Sequence, residues 1–364
     1  RAFDVGEGGV APDDERAVAL YRQACEGGEA RGCTALGARF YAGRGVTPDP
    51  ARARALFDRG CDGGDPFGCY NLAVVLRRSE EAADLSRARQ LFATACEGPV
   101  TAACNNLGLM LEHGVGGDPD PARARSLFTR GCEQDDPRAC HNLALAFERG
   151  GVGGEPDLAR AAALYGRACE AGVGASCAHL GELHEDGRGV EQSFERALGI
   201  YRDGCEAGLP APCVNLGVLY LAGEGVEADP ERARGLFEQT CSETVADGCR
   251  ALGEIYEEGR GVERDYDRAR DLYERACDAG HMGGCVSLGS LYGTARGVEQ
   301  DHARAGSLFE RACRAGEGSG CFNLAASFAS GLGVPRDRER ARALFEQACR
   351  LGEQRGCRVV GGGG

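Results

Sequence analysis

Apolar residues along the chain fall on a stripe spaced i, i+3, i+4, i+8, the mark of an amphipathic helix. Counted back from a cysteine, the stripe holds Ala at minus eight, Leu or Ile at minus five, and Phe or Tyr at minus four. Ala269, Leu272, Tyr273 and Cys277 show it clearly. The same register returns ten times, at Cys25, Cys61, Cys96, Cys132, Cys169, Cys205, Cys241, Cys277, Cys313 and Cys349. The steps are 36, 35, 36, 37 and then 36 residues throughout. That period suits two short helices and two turns. A fixed period also points to one elongated solenoid over several globules. Twelve residues before the cysteine stands Asp in nine copies and Ser193 in the tenth. Either residue caps a helix start by accepting backbone N–H bonds, and a carboxylate suits the positive end of the helix dipole. This helix is called B. Its minus-nine position is Arg in all ten copies, from Arg16 to Arg340. We read this ladder as pairing with acids of the same or the next repeat, with ligand binding as the alternative.

A second cysteine follows each first one after seven residues, at Cys33, Cys69, Cys104, Cys140, Cys177, Cys213, Cys249, Cys285, Cys321 and Cys357. It opens the next helix, called A. Three residues on is Leu in nine copies, and four on is Gly or Ala. Seven on is aromatic except at Leu76, Leu111 and His184. The small residue should let A approach B closely, with Leu and the aromatic filling the interface. Helix A then runs into a G-x-G-V loop, as at Gly259-Arg260-Gly261-Val262. Gly suits a left-handed helix end, and the Val is expected to tuck under the loop. Such loops follow helices instead of opening them after strands, which argues against phosphate cradles. The stretch 76–84, LRRSEEAAD, lacks the glycines, so a different, helical connection is expected there.

Twenty cysteines in ten pairs of one spacing, with none left over, read as a disulfide framework. Zinc would need tighter pairs or His ligands in register, and the six His residues do not recur with the cysteines. A short turn brings the end of B near the start of A, so a local bridge is geometrically reasonable. The framework implies periplasm, cell surface or secretion. No apolar run has the length of a membrane span. The net charge of −14 argues against nucleic acid and against anionic membrane surfaces. Low aromatic content, no Trp, and abundant Gly and Ala suit thin helix pairs better than one thick core.

The pattern A-C-x7-C-x2-L-G-x2-Y-x2-G-x-G-V-x2-D-x2-R-A-x2-L-F-x2-A-C resembles the Sel1-like repeat, a relative of the tetratricopeptide repeat. With its cysteine pair it is similar to the Helicobacter cysteine-rich protein family of secreted repeat proteins. The resemblance covers nearly the whole chain. It implies an all-α fold: a right-handed α/α solenoid of about nine complete helix pairs, with one C-x7-C disulfide per repeat. On this reading residues 1–364 form a single solenoid. Residues 1–26 are a partial first unit, 27–353 the repeats, and 354–364 a truncated last helix with a glycine tail. Arg1 to Val10 match only the tail of a helix A. The ragged ends read either as a trimmed chain or as an open solenoid that stacks on its neighbours.

Catalytic chemistry is sparse. The chain holds no Lys, hence no P-loop lysine, no Schiff base and no S-x-x-K nucleophile. Penicillin binding and weak β-lactamase activity, which the family resemblance brings in, are discounted on that ground. His184-Glu185 does not extend to H-E-x-x-H, and Cys140-His141 lacks the haem-attachment spacing. No catalytic residue, metal site or cofactor is expected. The expected function is a secreted or periplasmic scaffold that binds a protein or peptide on its concave face. The alternatives are a surface or filament component built by end-to-end stacking, and a cell-wall or β-lactam-related hydrolase. In tetratricopeptide-like solenoids the A helices line the concave face. Two residues after the second cysteine stand Asn71, Asn106, Asn142, His179, Asn215 and Asn323, with Ala35, Ala251 and Ser287 in the other copies. Asn is a poor helix-interior residue, yet it offers donor and acceptor together and suits clamping a peptide backbone. The neighbours Tyr70, Asn105, His141 and Phe322 would add contacts. The competing reading is that each Asn bonds to the adjacent repeat.

Overall fold

A computed structural model describes residues 13–150, 154–242 and 246–361. The expected match of Arg1 to Val10 to a helix tail lies outside these residues. Every regular element among them is a helix. α1 (Asp14–Glu26) is a B helix, and A–B pairs follow it. The first are α2 (Ala30–Ala42) with α3 (Pro50–Asp62), and α4 (Pro66–Leu76) with α5 (Ala82–Glu97). Next come α6 (Thr101–Glu112) with α7 (Pro121–Glu133), and α8 (Pro137–Glu148) with α9 (Leu158–Glu170). Then α10 (Gly174–Asp186) precedes α11 (Phe194–Glu206), and α12 (Pro210–Ala222) precedes α13 (Pro230–Thr240). The last pairs are α14 (Asp247–Glu258) with α15 (Tyr266–Asp278), and α16 (Met282–Thr294) with α17 (His302–Arg314). α18 (Gly318–Ser330), α19 (Arg338–Arg350) and α20 (Gln354–Gly361) complete the chain. Even numbers are therefore A helices and odd numbers B helices.

The helices form two compact units. One is Arg1–Ser176 with Arg188–Glu191, and the other is Cys177–Gly187 with Gln192–Gly364. In each, most positions read from the repeat are buried, with Leu20 at minus five exposed. Ala88, Phe92, Ala124 and Leu72 are buried in the first, and Ala233, Phe237, Tyr273 and Leu288 in the second. In the first unit α3, α5 and α7, and in the second α13, α15, α17 and α19, each pack on both flanking A helices. Successive A helices also touch, α2 with α4 and α6 with α8 in the first unit, α12 with α14 and α16 with α18 in the second.

The capping residues act as the sequence predicts. Asp13, Asp49, Asp120, Asp157, Ser193, Asp229, Asp265, Asp301 and Asp337 each accept from the N–H of the minus-nine Arg. The tenth copy differs. With no glycine loop before it, α5 starts at Ala82 and is 16 residues long, so Asp84 lies inside its first turn. Freed from capping, Asp84 meets Arg54 of α3 through two bonds of 3.0 and 3.4 Å. The expected helical connection is thus an extension of helix B.

B hands over to A through a tight turn. After Cys277, Gly280 adopts φ 91°, and the N–H groups of Gly280 and His281 return to the carbonyls of Cys277 and Ala276 at 3.0 and 2.9 Å. This is a Schellman-type ending. It brings the two cysteines within bridging reach. Nine bridges have Cα separations of 4.4–4.7 Å. Cys169 and Cys177 are likewise disulfide-bonded. No described cysteine is free.

The small residue at plus four in helix A is a contact requirement. A Cβ on Gly253 would stand 2.6 Å from the Tyr273 ring, and one on Gly217 would stand 2.5 Å from Phe237. The loop valines Val46, Val226, Val262, Val298 and Val334 pack against the two cores, as expected.

Candidate binding face on the A helices

The Arg ladder is bound mainly to rings. In all six copies with an aromatic at plus seven among the described residues, the minus-nine Arg lies over that ring. Arg52 covers Phe40, Arg160 Phe147, Arg232 Tyr220, Arg268 Tyr256, Arg304 Tyr292 and Arg340 Phe328, at 4.3–5.6 Å. The expected acids take a share, as in Arg304 with Glu274 at 3.2 Å and Arg160 with Asp157 at 3.2 Å. A cation over a ring suits Arg because its planar, weakly hydrated guanidinium stacks well. In these six repeats the ladder therefore ties the A helix to the B helix that follows it.

Two further devices join helices, and neither was read from the sequence. At minus two, Arg59, Arg167, Arg275 and Arg311 donate to the carbonyls of Cys25, Cys132, Cys241 and Cys277 at 2.9–3.4 Å. Arg130 does the same at Cys96. Each places a cation at the negative end of the preceding B helix. The second device is a Tyr–Glu pair. Tyr165 and Tyr273, both fully buried, donate to Glu148 and Glu257 at 2.7 Å. Tyr201 does so to Glu185. Burial and the carboxylate bond push the Tyr201 and Tyr273 phenols well above their usual range. Burial also raises Glu185, against the opposing effect of the Tyr201 bond. The available signal was co-occurrence: Glu follows at plus eight in the copies where minus four of the next helix is Tyr. Tyr273→Phe is expected to lower unfolding stability by about 1.5 kcal/mol, the scale of a bond to a charged acceptor. Chemical denaturation would check this; a cost near zero would mean the pair is incidental.

The residues named from the sequence separate into two groups. Of those at plus one, Tyr70, His141 and Phe322 pack inside the helix pairs. Tyr70 meets Phe92 edge-on at 5.9 Å, and Phe322 meets Phe345 at 5.3 Å under Arg355. His141 lies 5.7 Å from the Tyr165 ring, and its Nδ1 is 2.8 Å from the buried Ser176 hydroxyl. Those at plus two stand half-buried on the A helices. Asn142 donates to Asn105 of the preceding A helix at 2.7 Å. Asn215 reaches back to Glu182 at 3.4 Å, and His179 lies 3.6 Å from the same carboxylate. These amides link neighbouring repeats. Among the described residues, the side chains of Asn71, Asn106 and Asn323 make no such bond. One helical turn along, half-exposed Val74, Leu109 and Leu145 follow Asn71, Asn106 and Asn142 at i+3. An amide row thus runs beside an apolar row on α4, α6 and α8.

Ten stretches match the Sel1 repeat: residues 1–29, 30–65, 66–99, 101–136, 137–173, 174–209, 213–244, 246–281, 284–317 and 318–353. The chain belongs to the Sel1 repeat family. Among solved structures, this Sel1 protein is similar to c5321, a protective antigen of uropathogenic Escherichia coli with an SLR fold. The two are 24% identical over 99% of this chain and 77% of that one, with TM-score 0.60. It is also similar to a Sel1 repeat protein from Oxalobacter formigenes, at 23% identity over 84% and 88% of the chains and TM-score 0.50. Helicobacter pylori cysteine-rich protein B matches 38% of this chain along 98% of its own length, at 26% identity and TM-score 0.31. No curated protein matches the chain. The Sel1 repeats form a disulfide-stapled α/α solenoid scaffold, and its bridges imply an oxidising compartment. Among the described residues, no helix is long and apolar enough to cross a membrane.

Proposed function

We propose that this Sel1 chain is a secreted or periplasmic scaffold that holds an extended peptide segment of a partner protein on its A-helix, concave face. It works by binding and does no chemistry of its own. The reading rests above all on the amides of Asn71 and Asn106. They occupy one register on successive A helices, without partners among the described residues, beside the apolar row of Val74 and Leu109. An amide offers both a donor and an acceptor, as a peptide backbone does, and the apolar row favours burial of alternate side chains.

The test uses peptides selected from a random display library on the full chain. Changing Asn71, Asn106, Asn142, Asn215 and Asn323 together to Ala is expected to weaken their binding at least tenfold, about 1.4 kcal/mol. Unchanged affinity would sink this reading.

A further inference from the structure

Clefts open between successive A helices, and at three of these junctions an ion pair bars the way. Glu112 pairs with Arg149 at 3.1 Å, Glu148 with Arg188 at 3.5 Å, and Glu257 with Arg296 at 3.1 Å. In each pair the carboxylate is at plus eight of one repeat, and the Arg is at plus nine or plus eleven of the next. Between α16 and α18 both partners are missing. Gly293 stands where Glu257 stands two helices earlier, and Leu332 stands where Arg296 does. The cleft there has a volume of about 260 Å³ and reaches down to Phe309 and Ala305 of α17.

Its walls have a definite hydrogen-bonding character. Ser290, Ser327 and Ser330 donate to the carbonyls four residues back, at 2.9, 3.1 and 2.7 Å. Their hydroxyls therefore face the cleft as acceptors. Asn323 lines the same wall, and half-exposed Leu332 forms the rim. No carboxylate or Arg lines the cleft, and His302 is its one ionisable group among the described residues. The volume falls just short of the roughly 300–1,000 Å³ typical of small-molecule sites, and suits one large side chain.

An apolar floor, hydroxyl acceptors beside the Asn323 amide, and the lack of any carboxylate or Arg complement an aromatic ring with one donor at its edge. A Lys or Arg head would find no carboxylate, and an aliphatic side chain would leave the acceptors unmatched. We propose that the cleft over Phe309 takes one Tyr or Trp side chain of the bound peptide. Aromatic anchors of this kind carry much of the affinity at many interfaces. The proposal rests on the peptide-binding reading above and adds the anchor and its pocket.

The experiment measures display-selected peptides, made synthetically, against the wild-type chain and G293E/L332R, which rebuilds the Glu257–Arg296 bar. Each peptide is expected to contain a Tyr or Trp whose change to Ala costs about tenfold in affinity. The barred variant should cost a similar factor while its helix content and melting temperature stay at wild-type values. Should that variant misfold, N-acetyltyrosinamide titrated into wild-type chain serves instead, with amide shifts expected at Ser290, Asn323 and Leu332. No shifts there would overturn the proposal. Peptides indifferent to the aromatic residue and to the bar would overturn the anchor and leave peptide binding standing. A selection that enriches nothing overturns both.

Discussion

Complete reduction of the disulfides in non-denaturing buffer is expected to abolish the cooperative thermal transition of the chain. Each C-x7-C bridge closes a short loop, and the chain-entropy account gives it roughly 2–3 kcal/mol. Domain stabilities are only about 5–15 kcal/mol, so ten such losses exceed what thin helix pairs can bear. One bridge acts locally, because each repeat contacts only its neighbours. Replacing Cys277 and Cys285 with Ala should speed amide exchange in α15 and α16 and leave α2 and α3 unchanged. Circular dichroism melts with and without reductant check the first claim. A reduced chain that melts at the oxidised temperature would show the bridges to be dispensable.

The second large effect concerns a single glycine. Gly333, at φ 74°, lies against α17, and a Cβ there would stand 2.0 Å from the carbonyl oxygen of His302. That backbone is held by the Asp301 cap, whose side chain accepts from Arg304 at 2.8 Å. Gly333→Ala therefore meets both left-handed strain, about 1–2 kcal/mol, and overpacking, roughly 1–3 kcal/mol. We expect a loss of about 2–5 kcal/mol from the two together. Gly316→Ala is the control. It has φ 90° and nothing within 4 Å of the added Cβ, so it should cost only the strain. Urea midpoints separate the two, and equal losses would rule out the close approach.

Much of the fold is legible in the sequence because its signals are local and recur in every copy. The minus-twelve Asp, the minus-eight Ala and the cysteine spacing each specify a cap, a contact or a bridge without reference to another helix. The devices that were not legible depend on pairing between elements. Arg304 over Tyr292 and Tyr273 on Glu257 join residues 12 and 16 positions apart on two helices. The helix extension at α5 was foreseen from the missing glycines, but the release of Asp84 to Arg54 was not. The Asn row shows the same limit within the candidate site. Sequence places Asn71, Asn142 and Asn215 in one register. Only the neighbouring helix decides that Asn142 and Asn215 are engaged with Asn105 and Glu182.

The most direct measurement is amide hydrogen exchange on the full chain, free and saturated with a display-selected peptide. The account predicts slowed exchange on A helices, including α4, α6 and α18, with the B helices other than α17 unchanged. Slowing confined to B helices or to the glycine loops would contradict it.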